Sequence, residues 1–173
     1  MAICSASDRC PGEFDLTPVA LPQDGGCACG AVRYQLKGKP LLVYACHCHD
    51  CQSRSGAAFT LNMVVLSADV STSGHFEVRE HIARGDRRVR QTWCPACGIA
   101  VSAQAPSAPD YATLLAGTLD DAGWVMPIVQ TFVESAIPWA LIAGVRAAPW
   151  SEFDYVELGR EWAASAPEFI SRS

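Results

Sequence analysis

Seven of the nine cysteines fall into three short clusters. Cys27-Ala28-Cys29 follows Gly25-Gly26 and precedes Gly30. Cys46-His47-Cys48-His49-Asp50-Cys51 forms the second cluster, and Cys94-Pro95-Ala96-Cys97-Gly98 the third. Thiols at such spacing suit a metal. Zinc takes about four ligands in a tetrahedron, with sulfur at ~2.3 Å. Two cysteines separated by two residues can reach one ion across a tight turn, and a following glycine supplies the left-handed backbone such turns often need. Cys94 and Cys97 with Gly98 therefore read as half a zinc site.

Two completions are open. Cys27 and Cys29 could supply the other half, leaving Cys46, Cys48 and Cys51 as a second group. Alternatively, Cys46 and Cys51 could complete a zinc ribbon with the remaining cysteines spare. The first uses all seven clustered thiols. Four protein ligands close a structural site, whereas three leave a position for water or substrate. His47 or His49 could close the second group. Otherwise they are polar side chains near its mouth. An iron–sulfur cluster could use the same thiols, but zinc is the commoner occupant of these turns.

Three thiolates leave a zinc ion formally at −1, a weaker Lewis acid than zinc on neutral imidazoles. Such a site suits binding a small-molecule thiol, whose pKa the metal lowers. The sulfur can then attack an electrophilic carbon such as an aldehyde.

The elements that must position these thiols are mostly strands. Val32, Tyr34 and Leu36 alternate with Arg33 and Gln35, as on a half-buried strand. Further strands are expected over 41–45, 60–66, 76–82, 87–93, 99–103, 112–116 and 130–133, with Arg84-Gly85-Asp86 as a hairpin turn. Helices are expected only over 49–55, where Asp50 could cap, and 155–164, where capping is poor. The fold class is all-β with one or two short helices. Residues 1–24 read as a flexible N-terminal arm, 25–153 as a zinc-binding domain and 154–173 as a C-terminal extension. Cys4 and Cys10, in the arm, read as free thiols.

Half of the 173 residues are hydrophobic and the formal net charge is −5. This composition supports a packed core and argues against a nucleic-acid partner, which usually meets a basic surface. No apolar run reaches the roughly 18–20 residues that cross a bilayer. No signal-peptide plan is visible, so the expected location is cytoplasmic, where thiols stay reduced.

The motifs also carry a resemblance. Gly25 to Tyr34, the Cys46–Cys51 cluster followed by Gly56-Ala57-Ala58-Phe59, and Trp93 to Gly98 resemble the three motifs of the glutathione-dependent formaldehyde-activating enzyme (GFA) family. The domain is shared with centromere protein V. Leu119-Asp120-Asp121, Pro127 and Trp139 follow in the family's order. The resemblance implies a zinc-bound β-tent fold. It also implies a structural zinc on Cys27, Cys29, Cys94 and Cys97, and a catalytic zinc on Cys46, Cys48 and Cys51. The implied activity is a carbon–sulfur lyase that joins glutathione to formaldehyde, giving S-(hydroxymethyl)glutathione. Gln52, Ile99 and Gln130 stand where the family usually has arginine, threonine and histidine. Gln52 and Gln130 are expected to alter how an anionic substrate is held. The alternative is a zinc-stabilised binding module without turnover.

Other residues have plainer roles. His75 and His81 are expected at the surface. Arg84, Arg87, Arg88 and Arg90 suit a solvated strand face, or an anion-binding patch. Trp93, Trp124 and Trp139 suit core or pocket wall. Trp150 and Trp162 would pack the extension down or form a homodimer contact.

Overall fold

The computed structural model describes residues 18–83 and 85–171. The expectations for Cys4, Cys10, Arg84 and the Trp150 side chain lie outside the described residues. In chain order the strands begin with β1 (Val19–Leu21), β2 (Gln23–Gly26), β3 (Val32–Leu36) and β4 (Leu42–Cys46). Helix α1 (His49–Ser55) leads to β5 (Thr60–Leu66), β6 (Val70–Gly74) and the hairpin β7 (Glu77–Ala83) and β8 (Arg87–Trp93). Then come β9 (Ala100–Gln104), β10 (Tyr111–Leu115), β11 (Val129–Thr131), β12 (Arg146–Ala148), helix α2 (Tyr155–Ser165) and β13 (Phe169–Ser171). The protein is mainly β with two short helices, as its sequence pattern predicts.

Eight strands form one sheet in the order β12-β11-β4-β5-β10-β9-β8-β7, and three form a second, β2-β3-β6. Neighbours are antiparallel, except that β11 runs parallel to both β4 and β12. Side chains alternate across a strand, and the register sorts them into two faces. Leu42, Tyr44 and Cys46 pair with Val64, Asn62 and Thr60 on one face. On the other, Val43 and Met63 are fully buried and join Val32, Tyr34 and Leu36 of β3 in one core.

The described residues on both flanks are tied into the fold. Residues 18–24, expected in an arm, carry β1 and the start of β2, and β1 pairs in parallel with β13. Phe169 of β13 packs on Trp124 and Trp162. Within 154–171, expected as an extension, Leu158 and Trp162 of α2 are buried among core residues. Helix α2 is also better capped than its sequence suggests. Asp154 accepts hydrogen bonds from the Val156 and Glu157 N–H groups at 2.8 and 3.1 Å. No helix among the described residues is long and apolar enough to cross a membrane.

Candidate metal centre

The first cysteine group is built by two similar turns. One links β2 to β3: Gly30 N–H donates to the Cys27 carbonyl and Cys27 N–H to the Val32 carbonyl, both at 3.0 Å. The other links β8 to β9: Gly98 N–H donates to the Cys94 carbonyl at 2.8 Å and Cys94 N–H to the Ile99 carbonyl at 2.9 Å. Gly30 and Gly98 take φ of 77° and 74°, the left-handed region that glycine reaches without strain. The turns bring the Cys27, Cys29, Cys94 and Cys97 sulfurs within 4.8 Å of one another.

The spacing fits a metal better than a disulfide. Cys27 and Cys29 Sγ lie 3.5 Å apart, and Cys29 and Cys94 Sγ 3.6 Å. A disulfide needs ~2.05 Å. The edge of a tetrahedron with ~2.3 Å zinc–sulfur bonds is about 3.8 Å. Electrostatics agree. Burial pushes the Cys27 thiol up, but the Val32 N–H and the neighbouring thiols outweigh it and bring it to about 6. At Cys29 the Ala31 N–H pulls down, but Cys27, Cys94 and Cys97 push the thiol up to about 12. Without a cation the group cannot hold four adjacent negative charges.

The second group sits where β4 runs into α1. Cys46 ends the strand and Cys48 caps the helix, its Sγ accepting the Cys51 N–H at 3.4 Å. The cap is therefore Cys48 and not Asp50, which lies in the helix's first turn. There its charge complements the helix dipole. Hydrogen bonds from Cys46 and Cys51, and from the Cys51 and Asp50 N–H groups, bring Cys48 down to about 2. Cys48 and Cys51 in turn push Cys46 up. Cys46 pulls Cys51 down, but Cys48 and burial outweigh it, and the thiol rises to about 11. One thiolate shared by three sulfurs is what this group supports alone. Three thiolates require a cation, and either cysteine group could hold zinc.

The surroundings fit the same view. Thr60 and Thr131 are cross-strand neighbours of Cys46 on the same sheet face. Their hydroxyls are buried without a hydrogen-bond partner, and Thr60 lies close enough to Cys51 to draw its thiol down. Charged sulfur would give these donors an acceptor.

Neither histidine of the cluster joins the sulfurs. His49 is exposed. His47, expected near the mouth, is fully buried with its ring on Phe59 at 5.2 Å. Burial lowers its pKa against the opposing influence of Gln130 and the Ala58 carbonyl. Neither reaches hydrogen-bond geometry with the ring nitrogens. Alternation explains the inward turn, because His47 lies between two cysteines that point the other way.

The two glutamines serve the backbone. Gln52 Nε2 donates to the carbonyls of His47 at 2.6 Å and Ser135 at 2.9 Å, tying α1 to the segment after β11. Gln130 is buried. Its amide donates to the Ile142 and Val145 carbonyls and accepts from the Ile142 N–H. Neither faces the cavity described below, so the expected effect on substrate holding gives way to a structural role. Gln130→Leu is expected to cost about 1–3 kcal/mol in urea unfolding, the scale of backbone groups left unpaired. Zinc stoichiometry and thiol affinity should not change.

Cys46, Cys48 and Cys51 line a cavity of about 1100 Å³, open along one side. Cys27, Cys29, Cys94 and Cys97 do not line it. Its floor is the Leu42–Tyr44–Cys46 face of the large sheet, and Arg54, His81 and Trp93 stand around it. His81, expected at the surface, is half-buried here because alternation on β7 turns it inward with Ala83. Burial and Arg54 lower its pKa, against Asp50. The arginines divide. Arg88 and Arg90 pair with Glu80, while Arg87 lines the cavity. Tyr44, Phe153 and Tyr155 form an edge-to-face group, with centroids 4.7 to 6.5 Å apart. Trp139, expected in core or pocket wall, is 79% exposed.

Fold and site together define a mainly β protein with a four-cysteine and a three-cysteine cluster, each able to hold zinc. The chain belongs to the glutathione-dependent formaldehyde-activating enzyme family, whose model matches residues 22–135. No curated protein matches it. A crystal structure of a Rhodobacter sphaeroides protein is 18% identical with a TM-score of 0.46, the match covering 72% of this chain and 99% of that one.

Proposed function

We propose that the protein is a zinc-dependent enzyme of the carbon–sulfur lyase type, joining a small thiol such as glutathione to an aldehyde or related electrophile. Cys27, Cys29, Cys94 and Cys97 hold a structural zinc. Cys46, Cys48 and Cys51 hold a second. That ion would supply an open position at which a thiol gives up its proton near neutral pH. The observation that carries this reading is that the three-cysteine group opens into the cavity while the four-cysteine group does not.

The chain's own residues bind and orient. Arg54 and Arg87 present positive charge to an anionic thiol. Tyr44 and Tyr155 wall one side, with the Phe153 ring packed against both. Sulfur bonds to the carbonyl carbon, the carbonyl π pair moves to oxygen, and the proton released by the thiol ends there. The reverse direction cleaves the carbon–sulfur bond. Cysteines kept as zinc ligands, outside any disulfide, suit a reducing cytoplasm.

Native mass spectrometry of freshly purified protein, without chelator, tests the metal partition. Two zinc ions per chain are expected, with thiol-dependent consumption of aldehyde above the uncatalysed rate. A single zinc that persists when zinc is supplied would remove the open site and leave a zinc-stabilised binding module.

A further inference from the structure

The family match ends at residue 135, yet one wall of the cavity comes from beyond it. Tyr155, Val156, Gly159, Arg160 and Ala163 of α2 all line the cavity. Their spacing, i, i+1, i+4, i+5 and i+8, is one stripe of a helix. Leu158 and Trp162 lie on the adjoining face and anchor α2 in the core. The helix also sits close to β4, since a Cβ at Gly159 would lie 3.3 Å from the Leu41 carbonyl oxygen. The stripe is therefore held rigidly beside the Tyr44 and Cys46 face.

Apart from Arg160, this wall is apolar, and it is open. Tyr155 and Val156 are 46% and 63% exposed, although they face a cavity that also contains Trp93, Val89 and Leu115. Pockets of roughly 300–1,000 Å³ enclose drug-sized molecules, so about 1100 Å³ has room for a tripeptide-sized thiol and for more than a one-carbon aldehyde beside it. Neither a charged peptide thiol nor a one-carbon aldehyde offers apolar surface to cover Tyr155 and Val156.

We infer that the ligand this site takes opposite the thiol carries a bulky apolar group, aromatic or branched, and that α2 sets that preference. The inference rests on the proposed function for the ligand's reactive carbon, and on the cavity wall for its apolar part. The apolar group lies along Tyr155, Val156 and Ala163, with its reactive end toward Cys46, Cys48 and Cys51.

Two arms of one experiment separate the inference from the enzymatic reading. In the first, zinc-loaded full-length protein is titrated by calorimetry with 3-phenylpropan-1-ol and with ethanol, neither of which can add a thiol. The aromatic alcohol should bind at least ten-fold more tightly. Val156→Asp, which puts a charge in the wall, and Ala163→Trp, which fills it, should each weaken that binding at least five-fold. Both positions are exposed, and an acid in the first turn suits the helix dipole, so melting temperatures should hold. In the second arm, kcat/KM with glutathione should favour 3-phenylpropanal over formaldehyde at least ten-fold, and Val156→Asp should shrink that ratio. Equal binding of the two alcohols, or binding indifferent to both substitutions, overturns the inference. Selective alcohol binding lost in both variants, with no aldehyde consumed, upholds it and sinks the enzymatic reading instead.

Discussion

Cys48→Ser should remove one zinc and turnover together while leaving the fold in place. Serine is a poor zinc ligand at neutral pH because its hydroxyl stays protonated, so the count should fall from two ions to one. Thiol-dependent aldehyde consumption should fall by at least ~100-fold, a loss that merely supporting residues of metal sites can reach. The local backbone has reason to persist. Cys48 is the N-cap of α1, its sulfur accepting the Cys51 N–H, and serine is among the preferred caps. Circular dichroism and melting temperature should therefore stay near the parent values. Cys48→Ala gives the contrast. It removes the same ligand but also the cap, and should melt below the serine variant by an amount worth about 0.5–2 kcal/mol. A serine variant that retains both zinc ions, or that keeps its turnover, would mean that Cys48 is not a ligand of the reacting centre.

The sulfur positions are legible in the sequence because the geometry that makes them is local. A turn of three or four residues with a terminal glycine fixes Cys27 to Cys29 and Cys94 to Cys97. The strand end and first helical turn fix Cys46, Cys48 and Cys51. Long strands with clean alternation are legible for the same reason, and β5 and β8 fall on the expected residues. What is not legible depends on partners distant in the chain. Strand β11 is three residues long and enters between β4 and β12 in parallel, so its neighbours are set by the long segments on either side. Strand β6 is Val-Ser-Thr-Ser-Gly, with only one apolar residue, and owes its existence to pairing with β3. His47 shows the same limit in one side chain. Its type suggests solvent or metal, but the alternation that points its neighbours toward the cavity sends its ring into the interior. A strict period-two reading carried past Cys46 finds this signal. Gln52 and Gln130 carry no such signal, since nothing local says that their amides would serve carbonyls 83 and 12 residues away.

Cys94→Ser should do what Cys48→Ser does not: collapse the melting temperature by more than ~10 °C. The reason is where the four sulfurs come from. Cys27 and Cys29 sit on the turn between β2 and β3 of the small sheet, whereas Cys94 and Cys97 sit between β8 and β9 of the large one. An ion held by all four ties the two sheets at one end of their shared core, and Cys94 is fully buried there. Structural zinc in small peptides is worth on the order of 10 kcal/mol, comparable with the whole stability of an ordinary domain. A single lost ligand that leaves buried thiols unpaired should therefore be felt globally. Chelator titration should show the same asymmetry. An ion on Cys46, Cys48 and Cys51 would face the cavity and should leave first with circular dichroism unchanged. The second should leave only as the β signal is lost. A Cys94→Ser protein that keeps its melting temperature and both ions would mean that Cys94 ligates neither ion and that no zinc ties the two sheets together. Simultaneous loss of both ions with unfolding would mean instead that the open site, too, supports the fold, and that zinc bound there shapes the cavity.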